Sequence, residues 1–263
     1  MNSSHIFKKV YGNRFSSVAH LACVVMAGTV ATSALAEDAR RPSLIPAPVD
    51  RVFVPLGFDN NDNVEVILHG HFTSNCAKVG PASATVDENT KTISVVAQAW
   101  TYSSDRCLTQ EMYTPFVQSV PLGVVGKGEY TVRVLDASGV NSQMLQVAEA
   151  KQSTPDDYLY APVEDVQVDT MGAGKLQLTL RGEYPAVPGT CYKIKEVRSQ
   201  VVPGNTVVVL PIMEKVKNQA CQFGLKNRRF SVVHKVDAVP AGETLIHVRA
   251  LSGQSLNRVT KVD

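Results

Sequence analysis

His69-Gly70-His71 sets two imidazoles two residues apart. On an extended strand both would share one face, the beginning of a transition-metal site. Asp59-Asn60-Asn61-Asp62-Asn63 is a run of side-chain oxygens of the kind that surround calcium, but it lacks a complete calcium-loop pattern. Gly123-Val124-Val125-Gly126-Lys127-Gly128 is glycine-rich. It has neither the four-residue gap nor the Gly-Lys-Ser/Thr end of a phosphate-binding loop, so it reads as a connection between strands. Acyl transfer needs a nucleophile beside a base. No Gly-x-Ser-x-Gly occurs, and no serine has a recognisable His and Asp setting. The chain is therefore expected to be no enzyme and to carry no cofactor and no bound metal.

The segments that hold these residues read as strands. In Val64–Phe72, Val64, Val66, Leu68, Gly70 and Phe72 fall on one face, and Glu65, Ile67, His69 and His71 on the other. Leu176–Tyr184 alternates in the same way, with Leu176, Leu178, Leu180, Gly182 and Tyr184 opposite Gln177, Thr179, Arg181 and Glu183. A two-residue period is that of a half-buried strand. Gly128 opens a strand with Tyr130, Val132 and Val134 inward, and a second such strand has Thr244, Ile246 and Val248 inward. Gly139 and Gly253 sit where a hairpin turn is needed. No long stretch carries a helical period. Short strands between Gly, Pro, Asn and Asp turns predict an all-β chain.

These pairs of segments belong to an internal repeat. Ala47-Pro48-Val49 returns as Ala161-Pro162-Val163, Thr92–Val95 as Thr206–Val209, and Phe116 as Phe230, each 114 residues on. Cys76 and Cys107 return as Cys191 and Cys221. A period this long indicates duplicated domains rather than a solenoid. The predicted organisation is a first module over 37–150, a polar, partly extended linker over 151–160 that contains Pro155, and a second module over 161–263. The copy also serves as a control. Arg181-Gly182-Glu183 stands where the first copy has His69-Gly70-His71, so that face is expected to be solvated, and His247, aligned with Arg133, with it. Met171–Gly174 stands in place of the oxygen-rich run, which is therefore expected to be a turn.

Residues 1–36 have the three parts of a secretory signal peptide. Lys8, Lys9 and Arg14 form the basic start, Val18–Val30 the apolar stretch, and Ala34-Leu35-Ala36 the small-residue cleavage site. The mature chain is expected in the periplasm or outside the cell, with no transmembrane span. The whole chain has 26 Lys and Arg against 24 Asp and Glu, a net charge of +2. Loss of the three basic leader residues turns this into −1. Residues 37–150 carry 8 basic and 13 acidic residues, and residues 151–263 carry 15 and 11. The near-neutral mature chain argues against a nucleic-acid partner. One cysteine of five, Cys23, goes with the leader. The even remainder in an exported chain favours disulfides, and the repeat gives each copy its own pair. Cys76–Cys107 and Cys191–Cys221 are predicted, 31 and 30 residues apart.

The order Gly-x-Phe/Tyr, Cys, Cys, Phe, then Gly-x-Tyr/Thr-x-Val/Ile-x-Val, in both halves, resembles the immunoglobulin-like modules of exported bacterial proteins. The resemblance implies two tandem immunoglobulin-like β-sandwich domains, each with one disulfide. The leader, the repeat and the missing catalytic motifs together predict a non-enzymatic binding or structural protein of the bacterial cell envelope, whose partner is another envelope or extracellular protein. A periplasmic assembly chaperone or a β-sandwich protease inhibitor is the alternative. The candidate partner-binding residues are Trp100 and Tyr102, Tyr158 and Tyr160 in the linker, and Arg228 and Arg229 in the basic half. Tyr158 and Tyr160 would otherwise pack the two modules together.

Overall fold

The computed structural model describes residues 42–103, 107, 112–154, 156–187, 189–216 and 228–263. The predicted leader over 1–36 and Cys221 lie outside them. The first nine strands are β1 (Ser43–Pro46), β2 (Val49–Phe53), β3 (Phe58–Asp59), β4 (Val64–Phe72), β5 (Ala77–Asp87), β6 (Thr92–Thr101), β7 (Thr114–Gly123), β8 (Gly128–Asp136) and β9 (Gly139–Ala148). The remaining seven are β10 (Val163–Gly172), β11 (Lys175–Glu183), β12 (Cys191–Val202), β13 (Thr206–Val216), β14 (Arg229–Val236), β15 (Gly242–Ala250) and β16 (Gln254–Val262).

The strands form two β-sandwiches of like construction. In the first, a sheet ordered β2-β4-β7 faces one whose centre is β5-β6-β8-β9. In the second, β10-β11-β14 faces β12-β13-β15-β16. The alternation in β4 fills the first core, where Val64, Val66 and Leu68 meet Ile93, Val95, Tyr130 and Val132. Leu176, Leu178 and Leu180 meet Val207, Val209, Ile246 and Val248 in the second. β6 and β8 pair in parallel, and so do β13 and β15, whereas immunoglobulin sheets are antiparallel.

The repeat extends to fine detail. A Cβ on Gly70 would lie 2.0 Å from the Pro48 carbonyl oxygen, and one on Gly182 2.1 Å from that of Pro162. The room is needed because the preceding strand crosses there and an aromatic pair closes the other side. Phe72 and Phe116 have ring centroids 5.0 Å apart, and Tyr184 and Phe230 4.9 Å. Edge strands β5 and β12 break register at matching places, Val79/Ala82 and Ile194/Glu196. Such irregularities, with Pro81 in β5 and Lys193 and Lys195 in β12, guard sheet edges against pairing with other chains.

The expectation of a solvated face fails at His69 and at His247. The face of β4 bearing Glu65, Ile67 and His69 is not solvated: Ile67 is fully buried and His69 is 4% exposed. His247 is 1% exposed. The cause is that the two sandwiches stack. The outer face of β2-β4-β7 lies on the outer face of β15 and β16, where Phe53, Ile67 and Leu245 form a third apolar cluster with Val259. Strand periodicity reports burial by the partner sheet of the same sandwich and is silent about a second sandwich on the other face. His71 stays partly exposed at the margin, 2.5 Å from Asp50 Oδ2 and stacked on Tyr113.

The linker is tied to both sandwiches. Asn61 Nδ2 donates to the Gln152 carbonyl at 2.8 Å, and the Ala150 N–H donates to Asn60 Oδ1 at 2.8 Å. Beyond it, the Met213 N–H donates to the Leu159 carbonyl at 2.8 Å, and the Ala161 N–H to that of Pro211 at 2.7 Å.

Candidate functional site

The joint between the sandwiches gathers more buried charge than any other place among the described residues. β15 turns Thr244, Ile246 and Val248 into its own core, so Leu245, His247 and Arg249 face the first sandwich. Arg249 is 7% exposed. Its Nη1 lies 3.1 Å from Asp62 Oδ2, its Nη2 donates to the Gly57 carbonyl at 2.5 Å, and the guanidinium stands 4.6 Å over the Phe58 ring. Asp62 Oδ2 also accepts the Asp59 N–H at 3.0 Å, which closes the turn of the oxygen-rich run. These oxygens thus fasten a turn and an arginine. Among the described residues, no group of three or more His, Cys, Asp or Glu is placed to hold a metal.

Beside this pair, Glu65 accepts from the hydroxyls of Ser119 and Ser255 and, at 3.1 Å, from Asn257 Nδ2. His247 Nδ1 lies 2.8 Å from Asn257 Oδ1 and 3.4 Å from Glu65 Oε1, and its ring meets Phe58 edge-on. A proton on Nδ1 fits both contacts, an assignment made from the network. Burial pulls the His247 imidazole below its ordinary pKa, against the opposing charge of Glu65. Burial raises the Asp156 carboxyl, helped by the like charge of Asp62 and opposed by the Gly253 N–H and Arg249. Burial likewise raises the Tyr160 hydroxyl. At the far side, His69 Nδ1 lies 3.4 Å from Glu243 Oε2, and Arg51 donates to the Glu243 carbonyl at 2.9 Å.

Asp62, Glu65, Asp156, His247 and Arg249 line a cavity of about 20 Å³. That is room for about one water. Carboxylates beside an imidazole are the raw material of acid–base chemistry. Here each carboxylate is committed to donors that hold two sandwiches in register. A wider cleft of about 480 Å³ opens where the linker crosses, lined by Leu56, Tyr158, Tyr160, Arg198, Val208 and Leu210. Arg198 lies 5.1 Å over the Tyr158 ring and donates to its hydroxyl at 3.1 Å.

The six residues expected to meet a partner fall in three separate places. Trp100 is half-buried near the end of β6, between Leu44 and Lys78 on the neighbouring strands. Tyr102 is exposed, with Lys78 5.7 Å over its ring and its N–H on the Cys76 carbonyl. The aligned position of Trp100, Glu214, is exposed enough to pair with Lys193 at 3.1 Å. Tyr158 edges the cleft. Tyr160, expected to meet a partner, is 1% exposed: it forms a bridge with Ile212 inside the joint and presents almost nothing of itself to the cleft it borders. An aromatic residue in a polar linker looks available until the linker is seen pressed between two sandwiches. Arg228 pairs with Glu183 and donates to the Tyr184 carbonyl at 3.3 Å, while Arg229 is exposed at the start of β14.

The disulfide Cys76–Cys107 is present, with Cα atoms 5.4 Å apart. Cys191 is disulfide-bonded, and its predicted partner Cys221 lies outside the described residues. Sequence reasoning missed Glu65, Asp156 and Arg249 and took Asp62 only as part of a turn. The available signal was in Gly242–Ala250, where Leu245 sits on the face assigned to solvent.

With this geometry in view, the chain can be set beside known proteins. Residues 66–147 match the family model of the ORF11 beta-sandwich domain. The match runs from β4 to β9, the heart of the first sandwich. No curated protein and no solved structure matched the chain. Among the described residues, no helix is long and apolar enough to cross a membrane.

Proposed function

We propose that this chain is an exported, non-enzymatic binding or structural protein of the cell envelope, in which two repeated β-sandwiches present a surface to another envelope or extracellular protein. The joint is the observation that carries this reading. The most reactive constellation of side chains serves to lock the modules together around a space of one water, and what remains open is surface. Of that surface, the Tyr158–Arg198 cleft and the Trp100–Tyr102 end have the aromatic and arginine character enriched where protein interfaces concentrate their energy. The leader sequence supports export, and the paired cysteines fit an oxidising compartment.

The test is mild crosslinking of the envelope fraction, comparing the native chain with Trp100→Ala, Tyr158→Ala and the double reversal Arg228→Glu with Arg229→Glu. At least one of these variants is expected to lose a specific crosslinked partner while the protein stays folded by circular dichroism. A partner profile unchanged by all three would overturn the assignment of these surfaces.

A further inference from the structure

The joint pairs two different faces, β2-β4-β7 of the first sandwich and β15–β16 of the second. Because the sandwiches are copies, each face has an unused equivalent: β10-β11-β14 of the second sandwich and β8–β9 of the first. The strand registers fix the correspondence. Leu135, Val140 and Met144 occupy the positions of Arg249, Ser255 and Val259, and Val233 that of Ser119. All four are exposed, at 50%, 62%, 52% and 55%. Scattered apolar surface is ordinary, but here it falls at the positions where the joint makes contact.

We infer that these two faces dock on each other between copies of this chain, the second sandwich of one against the first sandwich of the next, in the relation the joint already uses. The polar pairing carries over as well. His69 against Glu243 becomes Arg181 against Glu129, a pair of opposite charge. Arg181 is half-exposed, held by Asp165 at 3.0 Å, and bridges the two carboxylates on docking. The faces that meet belong to halves of opposite sign, 13 acidic over 8 basic residues in 37–150 and 15 basic over 11 acidic in 151–263. Charge asymmetry of this kind selects head-to-tail over head-to-head contact. A contact between two different faces does not close on itself as a two-fold one does, so it builds assemblies larger than a dimer, open chains or rings as the rotation between copies dictates. This inference stands on the joint and the repeat and is independent of any envelope partner.

Sedimentation of the purified chain from micromolar to near-millimolar concentration tests it. A graded series of dimer, trimer and longer species is expected, weakened by salt. A monomer throughout, or one closed dimer, overturns it. Arg181→Glu is expected to weaken association several-fold, and adding Glu129→Arg to restore it. Because both positions are exposed, neither change threatens folding. Mixing a Val140→Cys chain with a Val233→Cys chain should give an oxidised heterodimer at a higher yield than Val124→Cys with Val233→Cys. Equal yields overturn the proposed faces.

Discussion

Replacing Arg249 with Met removes the charge at the joint and keeps much of the apolar stem that lies against Phe58. Asp62 is then left with only the Asp59 N–H, and the Gly57 carbonyl loses its donor. The Arg249 and Asp62 side chains are 9% and 7% exposed, so solvent screens the loss little. Removing one partner of a buried ion pair costs about 3–5 kcal/mol, most of it from the uncompensated charge. For a folded body of this size, that lowers the melting temperature by roughly 6–20 °C, at about 2–4 °C per kcal/mol. Asp62→Asn in the same chain removes the stranded charge, so the double variant should recover most of the loss, with a coupling energy above about 1 kcal/mol. Guanidinium unfolding followed by two probes reads both effects. The single tryptophan, Trp100, reports the first sandwich alone, and far-ultraviolet circular dichroism reports both. The two curves should coincide in the native chain and separate in Arg249→Met, because the joint no longer couples the sandwiches. A loss below about 1 kcal/mol with curves still coincident would refute the argument that this pair fastens the joint.

Three further outcomes follow from the same structure. Gly70→Ala and Gly182→Ala should each cost about 3 kcal/mol or more, since the new Cβ meets a backbone carbonyl that cannot move aside; a mild effect at either, measured by denaturant unfolding, would mean the crossing is looser than observed. Replacing Cys76 and Cys107 together with Ser should cost roughly 3–4 kcal/mol by loop entropy and, with the joint intact, should shift the Trp100 and circular-dichroism transitions together. Burial keeps folded His247 neutral where the unfolded chain takes up a proton, so stability should fall as pH drops below about 6.5, by at most about 1.4 kcal/mol per pH unit. His234, lowered by burial as well, acts in the same direction. His247→Gln should flatten the slope, and a slope left unchanged would place its origin elsewhere.

Much of the fold was legible in the sequence because each sandwich is built on a local rule. Alternation placed Val64, Val66 and Leu68 in the first core and Leu176, Leu178 and Leu180 in the second. The turn at Met171–Gly174 is flanked by Gly172 and Gly174, which accept positive φ freely, and carries Ala173 with them into the left-handed region. The Cys76–Cys107 pairing came from the repeat. The site was far less legible. Glu65, His69, His247 and Arg249 look like solvated residues on the polar side of their strands. They are buried because a whole sandwich covers that side, and no local pattern encodes this.

By itself, the sequence determined the all-β class, the duplication and the disulfide in the first sandwich. Each depends on side-chain period, turn residues or landmark spacing, which are properties of short segments or of their repetition. Only the tertiary structure decided how the copies join, that Tyr160 is enclosed, and which faces remain open. Those outcomes depend on contacts such as Asp62 with Arg249, between residues 187 positions apart. The two sequences around such a contact are each compatible with water, and burial follows from the pair.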